Sequence, residues 1–104
     1  MDIKDVLTDF KAELARIYGE RLKKVVLHGA WARGDAKEDS DVELVVVLEG
    51  GVTAGKEMDK MINAIMKINA KYSTLLSVHP VSEEDFSAIK SPFLMDAREE
   101  GRSA

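Results

Sequence analysis

One segment restricts the possible folds more than any other: the apolar run from Val42 to Leu48, which only Glu43 interrupts. Strands that are buried on both faces have this pattern, whereas a half-exposed strand alternates apolar and polar residues. Gly50 and Gly51 directly after the run are typical of a turn that ends a strand. We therefore expect a strand here whose two faces are both covered by the rest of the chain.

Helices are predicted on both sides of this strand. Apolar residues recur at three- and four-residue spacing over 2–18 and over the methionine-rich stretch 58–66, the pattern of amphipathic helices. Thr53 is a plausible cap for the second of these. Ser82, followed by three acidic residues, is a good start for a third helix, and a last helix is predicted after Pro92.

Two more strands complete the set of elements. Residues 24–28 form a short stretch rich in β-branched residues, and residues 74–78 form another that Pro80 is expected to end. Residues 29–40 are predicted to be a loop, or a loop with a short helical turn. The order is helix, strand, strand, helix, strand, helix, helix. It predicts an α/β (α+β) fold, a small mixed sheet of three to four strands with helices packed on one face.

Composition excludes several classes of function. With no cysteine and only two histidines, thiolate zinc sites, cysteine nucleophiles and histidine-rich metal sites are excluded. A net charge of -4 argues against strong nucleic-acid binding. No stretch is apolar for long enough to span a membrane, and the first residues do not resemble a signal peptide. The 104 residues therefore predict one domain, 1–104, in the cytoplasm.

The loop after the first predicted strand has features of a phosphate site. Gly29 and Ala30 present backbone N–H groups with almost no side-chain bulk, so a phosphate could approach them closely. Arg33 lies just beyond them and could reach the same phosphates with its planar set of donors. Ser40, which precedes the central strand, adds a hydroxyl. These four residues are the candidate nucleotide-binding residues.

Asp41 and Glu43 lie two positions apart on the central strand, so their side chains point to the same face, away from that of Val42 and Leu44. Two neighbouring carboxylates repel each other unless a cation lies between them. Mg²⁺ or Mn²⁺ binds carboxylate oxygens together with substrate phosphates. Asp41 and Glu43 are therefore the candidate metal-binding and catalytic residues, although an isolated acidic pair at a strand end is more often solvated surface.

The segment from His28 to Asp35, continued by 39–44, resembles the signature of the minimal nucleotidyltransferases of the DNA polymerase β-like superfamily. That signature is Gly-Ser, ten residues, then Asp-x-Asp, and the order of elements fits over most of the chain. The resemblance implies the nucleotidyltransferase fold and transfer of a nucleoside monophosphate from a nucleoside triphosphate, ATP, to a hydroxyl or phosphate acceptor, with a hydroxyl of a protein partner expected here. It also implies an antitoxin role with a helical HEPN-type protein partner, which some members adenylylate.

The sequence departs from the family signature at three places. Ala30 replaces the serine, and Glu43 replaces the second aspartate. The third carboxylate of the family lies on the third strand, where this chain has no acid; matching the paired leucines places Thr74 at its position. His79 could serve as a replacement base, although a strand-end histidine is more often structural.

Three hypotheses are therefore open. The chain is an active nucleotidyltransferase, or a degenerate antitoxin-like module that at most binds nucleotide and metal, or a plain interaction domain whose acidic pair is surface. Trp31 in the loop is expected to pack against the core rather than to stack on a base. Exposed apolar positions on the last two helices would suit a homodimer or a hetero-complex.

Overall fold

A computed structural model describes residues 1–88, Leu94, Ala97 and residues 101–104. Its helices are α1 (Ile3–Tyr18), α2 (Ala30–Arg33), α3 (Ala54–Tyr72) and α4 (Glu83–Ala88), with a 3₁₀ turn at Gly19–Arg21. Its strands are β1 (Leu22–His28), β2 (Val42–Leu48), β3 (Leu76–Ser82) and β4 (Arg102–Ser103). The predicted last helix lies largely outside the described residues. Leu94 and Ala97, which the structure does describe in this stretch, are helical.

Local capping explains where α1 and α4 begin. The Asp2 carboxylate accepts a hydrogen bond from the Lys4 N–H at 2.9 Å and caps α1. The Ser82 hydroxyl accepts one from the Asp85 N–H at 3.0 Å, which is the cap predicted for this helix. Thr53 lies at the N-cap of α3 as predicted, but its side chain makes no capping hydrogen bond.

The four strands form one mixed sheet in the order β3-β2-β1-β4. β1 pairs antiparallel with β2 and with the two-residue β4, and β2 pairs parallel with β3. A parallel pair needs a crossover, and α3 provides it. The predicted fold class, a small mixed sheet with helices, is confirmed.

The sheet has an apolar cluster on each face. α1 and α3 cover one face and enclose the larger cluster, to which β2 contributes four fully buried residues: Val42, Leu44, Val46 and Leu48. On the other face the short α4 contributes Phe86 to a smaller cluster with Val45 and Val47. The two long helices therefore share one face, as predicted, while α4 packs on the opposite one.

The prediction for β3 was wrong at both ends. The strand begins at Leu76 and continues through Pro80 to Ser82 instead of ending before the proline. Because β3 is an edge strand, Pro80 can occupy it without breaking a bond between two strands. At the start of the strand, the Leu76 N–H donates to the Asn69 side chain of α3 at 2.9 Å.

Among residues 1–88 and the few described beyond them, no helix has the length and apolar character that a membrane span requires.

Candidate nucleotide and metal site

The turn between β1 and α2 brings the glycine of the loop against the acidic pair. Gly29 has φ 73°, a conformation that side-chain-bearing residues rarely adopt. A Cβ placed on Gly29 would lie only 1.8 Å from Oε2 of Glu43. The Glu43 carboxylate therefore lies directly against the Gly29 backbone, in space that only glycine leaves open.

α2 begins at this contact. The Gly29 carbonyl accepts hydrogen bonds from the N–H groups of Ala32 at 3.0 Å and Arg33 at 3.1 Å. The N–H groups of Ala30 and Trp31 precede these donors, in the part of a helix where amide groups have no partner within the helix. The predicted short helical turn is confirmed, and it begins directly after the residue that contacts the Glu43 carboxylate.

The acidic pair lies at the beginning of β2. Glu43 is half-buried within the strand. Asp41, the residue directly before the strand, is exposed. The ladder with β3 begins here, since the Val42 N–H donates to the Leu75 carbonyl at 2.8 Å. Val42 and Leu44 are fully buried on the opposite face. The alternation along the strand therefore directs both carboxylates to one face.

The remaining predicted residues are arranged around the loop. The Ser40 hydroxyl accepts a hydrogen bond from the Lys37 N–H at 2.9 Å, so it closes a turn of the loop. Arg33 is exposed and forms an ion pair with Asp35 at 3.4 Å. Trp31 packs against the larger core cluster and donates to the Ser40 carbonyl at 3.2 Å. The prediction that Trp31 has a packing role is thus confirmed.

The neighbouring strand carries no carboxylate at this place. The register places Ser77 beside Glu43 and His79 beside Val45. Thr74, which the sequence comparison with the family placed there, lies two residues before β3. The error arose because the start of β3 was predicted too early. Ser77 was missed because the register of a parallel pair cannot be determined from the apolar pattern of one strand.

The donor set fits one divalent cation better than two. Within residues 1–88 and the other described positions, no three side chains of the acid, histidine or cysteine type are grouped as a metal site. Asp41 and Glu43 share a face and provide the hard oxygen donors that Mg²⁺ or Mn²⁺ prefers. Phosphate oxygens of a nucleotide would have to complete the coordination. Asp41 and Glu43 therefore suit one cation whose coordination a nucleotide completes. The described residues do not provide the third carboxylate of a three-carboxylate site.

Comparison with known proteins identifies the family of the domain. The sequence profile of the nucleotidyltransferase domain matches residues 7–99. An inferred protein adenylyltransferase of Methanocaldococcus jannaschii is 33% identical over 103 residues, 98% of this chain and 97% of that protein. A second one from the same organism is 34% identical over 77 residues, 74% of this chain and 77% of that protein.

Two solved structures share the fold. An inferred minimal nucleotidyltransferase superposes with a TM-score of 0.62 at 23% identity, covering 98% of this chain and 95% of that one. A toxin–antitoxin complex with AMP-PNP superposes with a TM-score of 0.60 at 11% identity, covering 90% of this chain and 68% of that one. At these identities the likeness concerns the fold alone. Because the domain profile and a relative of nearly equal length both match along most of the sequence, the chain belongs to the nucleotidyltransferase domain family.

Proposed function

We propose that this protein binds a nucleoside triphosphate, ATP, with Mg²⁺ or Mn²⁺ and transfers the nucleoside monophosphate to a hydroxyl of a protein partner. One observation carries the proposal: the Glu43 carboxylate lies against Gly29, where a Cβ would be 1.8 Å from Oε2. This contact joins the candidate phosphate loop and the acidic pair into one site. An acidic pair that was only solvated surface would not need a glycine of positive φ beside it.

Each candidate residue has a distinct role in this proposal. Asp41 and Glu43 hold the cation, which would neutralise phosphate charge and orient the triphosphate. The N–H groups at Gly29 and Ala30 bind phosphate oxygens. Arg33, which is exposed, exchanges Asp35 for a phosphate. Ser40 supports the triphosphate indirectly, because its hydroxyl holds the turn that precedes Asp41.

The relatives support a protein as the acceptor. Both Methanocaldococcus jannaschii relatives are named as protein adenylyltransferases, and a structural neighbour is a toxin–antitoxin complex with an ATP analogue. We therefore propose that the acceptor is a helical, HEPN-type toxin and that this chain acts as its antitoxin. A protein encoded by a neighbouring gene is the first candidate to test.

Nucleotide binding is tested first, by calorimetry with ATP and Mg²⁺. The variant Asp41→Asn is expected to weaken binding at least about tenfold, since even residues that only support metal ligands change metal affinity by that factor. Asp39→Asn is the matched control, an exposed acid of the same loop two residues earlier. Equal affinity in wild type and both variants would remove the site from consideration.

Transfer is tested with ATP labelled at the α-phosphate and the helical partner. Wild type and Asp39→Asn are expected to label the partner, and Asp41→Asn is not. Label on the partner that persists in Asp41→Asn would contradict the proposed role of the acidic pair.

A second candidate function is favoured by one specific observation. No group of three acids or histidines forms a metal site in the described part of the chain. A module that binds the partner, and at most a nucleotide with its cation, would need no such group. A stable complex with the partner, without label at any nucleotide concentration, would establish this second function.

A further inference from the structure

We propose that His79 is the general base for the acceptor hydroxyl, in place of the carboxylate that the third strand lacks. The inference rests on the proposed function and extends it to a residue outside the loop and the acidic pair. It also assigns a role to Ser77, as the residue that positions the His79 ring.

The register of β2 and β3 brings these residues to the acidic pair. Facing residues of two paired strands point to the same side of a sheet, and Ser77 faces Glu43. The Cα atoms of such a pair are separated by about the strand spacing, roughly 4.8 Å. His79 is two residues further along β3, so its side chain is on the same face as Ser77 and Glu43.

The same face changes character along the strands. Val45 and Val47 of β2 are buried in the smaller apolar cluster, against which Val81 of β3 packs. Glu43 and Ser77 are only half-buried, and His79 is exposed. The ionisable and hydroxyl-bearing groups of β2 and β3 therefore meet at the border where the apolar cover ends, which is where an acceptor hydroxyl could enter.

Ser77 gives the imidazole a defined neighbour. The Ser77 hydroxyl and Nε2 of His79 are 3.5 Å apart, at the outer limit of a hydrogen bond. The ring therefore lies beside Ser77, on the side of the strand that carries Glu43. His79 does not end the strand, because β3 continues through Pro80 to Ser82. The structural role expected for a strand-end histidine therefore does not apply to it.

Besides ATP and the acceptor hydroxyl, the transfer reaction needs only a base. The acceptor oxygen forms a bond to the α-phosphorus of ATP, and the bond from that phosphorus to the oxygen bridging to the β-phosphate breaks. Pyrophosphate leaves with the electron pair, and the hydroxyl proton passes to the imidazole of His79. Histidine is the side chain most often used for this task, because it exchanges protons readily near neutral pH. The exposed ring can then release the proton to water.

The first test is His79→Gln, assayed for label transfer to the partner and for ATP–Mg²⁺ binding by calorimetry. General base catalysis typically contributes 10²–10⁴-fold, so transfer is expected to fall about 100-fold. Nucleotide affinity is expected to stay within about threefold, because His79 is assigned no contact with the nucleotide. The melting temperature is measured on the same sample, so that a loss of folded protein is distinguished from the loss of a base.

Two rescue experiments separate a base from a structural residue. Imidazole added to His79→Ala is expected to restore transfer at least about tenfold, which a structural defect would not permit. Ser77→Asp in the His79→Gln background places a carboxylate beside Glu43 and is expected to restore transfer to a similar degree. Asn63→Asp in the same background is the matched control and is expected to restore nothing, since Asn63 is exposed on α3, which covers the opposite face of the sheet.

The outcomes distinguish this inference from the proposed function. If wild type transfers label and His79→Gln transfers it equally well, the inference is wrong while the proposed function stands. If His79→Gln is inactive but neither imidazole nor Ser77→Asp restores transfer, the assignment of a base is also overturned. If neither wild type nor the double variant His79→Gln with Ser77→Asp transfers label, while Asp41-dependent ATP binding persists, the proposed function and the inference fail together.

Discussion

The two faces of β2 differ in how they are covered. Toward α1 and α3, every alternate residue of the strand from Val42 to Leu48 is completely buried. Toward α4, Val45 and Val47 are buried, but Glu43 at the beginning of the strand is not. The first face is apolar along its whole length, whereas the second is apolar only where α4 and its neighbours cover it.

The two faces of this seven-residue strand therefore differ in the side chains that they can accommodate. The fully covered face stabilises the fold by removing apolar side chains from water. A polar atom on that face would lose its water without gaining a partner. The partly covered face can hold a carboxylate, because Glu43 remains near solvent and near the loop. Substitutions on the two faces should therefore affect different measurements.

The largest effect on stability is expected from Leu44→Ala. Leu44 is fully buried, and the deletion leaves a cavity in the larger cluster that should cost about 2–5 kcal/mol of unfolding free energy. The matched substitution on the other face, Glu43→Gln, should cost less than about 1 kcal/mol but abolish metal-dependent nucleotide binding. Urea denaturation and calorimetry on both variants test this comparison, which fails if both variants lose the same property.

A smaller effect is expected from Gly29→Ala, which acts on the junction of the site with the sheet. The positive φ and the Glu43 carboxylate both oppose a Cβ there, so the variant should lose about 1–3 kcal/mol and displace the carboxylate. ATP–Mg²⁺ affinity should fall with it. Gly51→Ala is the control, because a Cβ at Gly51 meets no atom within 4 Å. Unchanged nucleotide affinity in Gly29→Ala would show that the contact is not part of the site.

Alkaline pH is expected to weaken the covered face. Burial, followed by the hydrogen bond to Glu57, raises the pKa of Tyr18 to about 12 from an ordinary value of 10.0. The Tyr18 hydroxyl therefore contributes stability below pH 10, and that contribution is lost as the pH rises from about 10 to about 12. The measurement is the urea midpoint across this range. Tyr18→Phe, which cannot ionise, should show a shallower decline than wild type; an identical decline would assign the effect to other groups.

The smallest effect is expected at acid pH, on the outer surface of α1 and α3. Hydrogen bonds from Lys71 and Tyr72 lower the pKa of Asp9 from its ordinary 3.8, and the hydrogen bond from Lys67 lowers that of Glu13 from 4.5. Both carboxylates therefore contribute stability above these values, and the contribution is lost as the pH falls through the lowered pKa values.

The acid effect should be modest because the lysine partners, Lys71 and Lys67, are exposed, so that solvent and salt screen both pairs. Thermal melting between pH 5 and about pH 2 is compared with that of Lys71→Met, which removes one donor to Asp9. The variant should lose less stability over this range than wild type. A variant that loses as much would show that the Asp9 pair contributes nothing.

Much of the fold was predictable because its elements have strong local signals. The apolar run of β2 gave its bounds, Val42–Leu48, and the spacing of apolar residues gave α1 to within one residue. Ser82 and Asp85 marked the start of α4. The two-residue β4 was not predicted, because its residues, Arg102 and Ser103, have no apolar pattern and depend on pairing with β1.

The candidate site was predictable only where its residues are close together in sequence. The loop and Asp41 with Glu43 lie within fifteen positions of each other, so their spacing indicated a common site. The contact of Glu43 with Gly29 and the pairing of Glu43 with Ser77 depend on strand register. Register across a parallel pair is determined by packing with distant residues, and the pattern of β3 was further obscured by Pro80.

The composition of the β3 edge also limits how copies of the protein can associate. Because the Val42 N–H donates to Leu75, the N–H groups of β3 that point away from the sheet are those of alternate positions beginning at Leu76. Asn69 already occupies the Leu76 N–H, and Pro80 has none. An incoming strand would find Val78 as the donor between them, with no continuous row to pair with. The β3 edge is therefore a poor template for strand addition, so edge-to-edge aggregation through β3 is disfavoured.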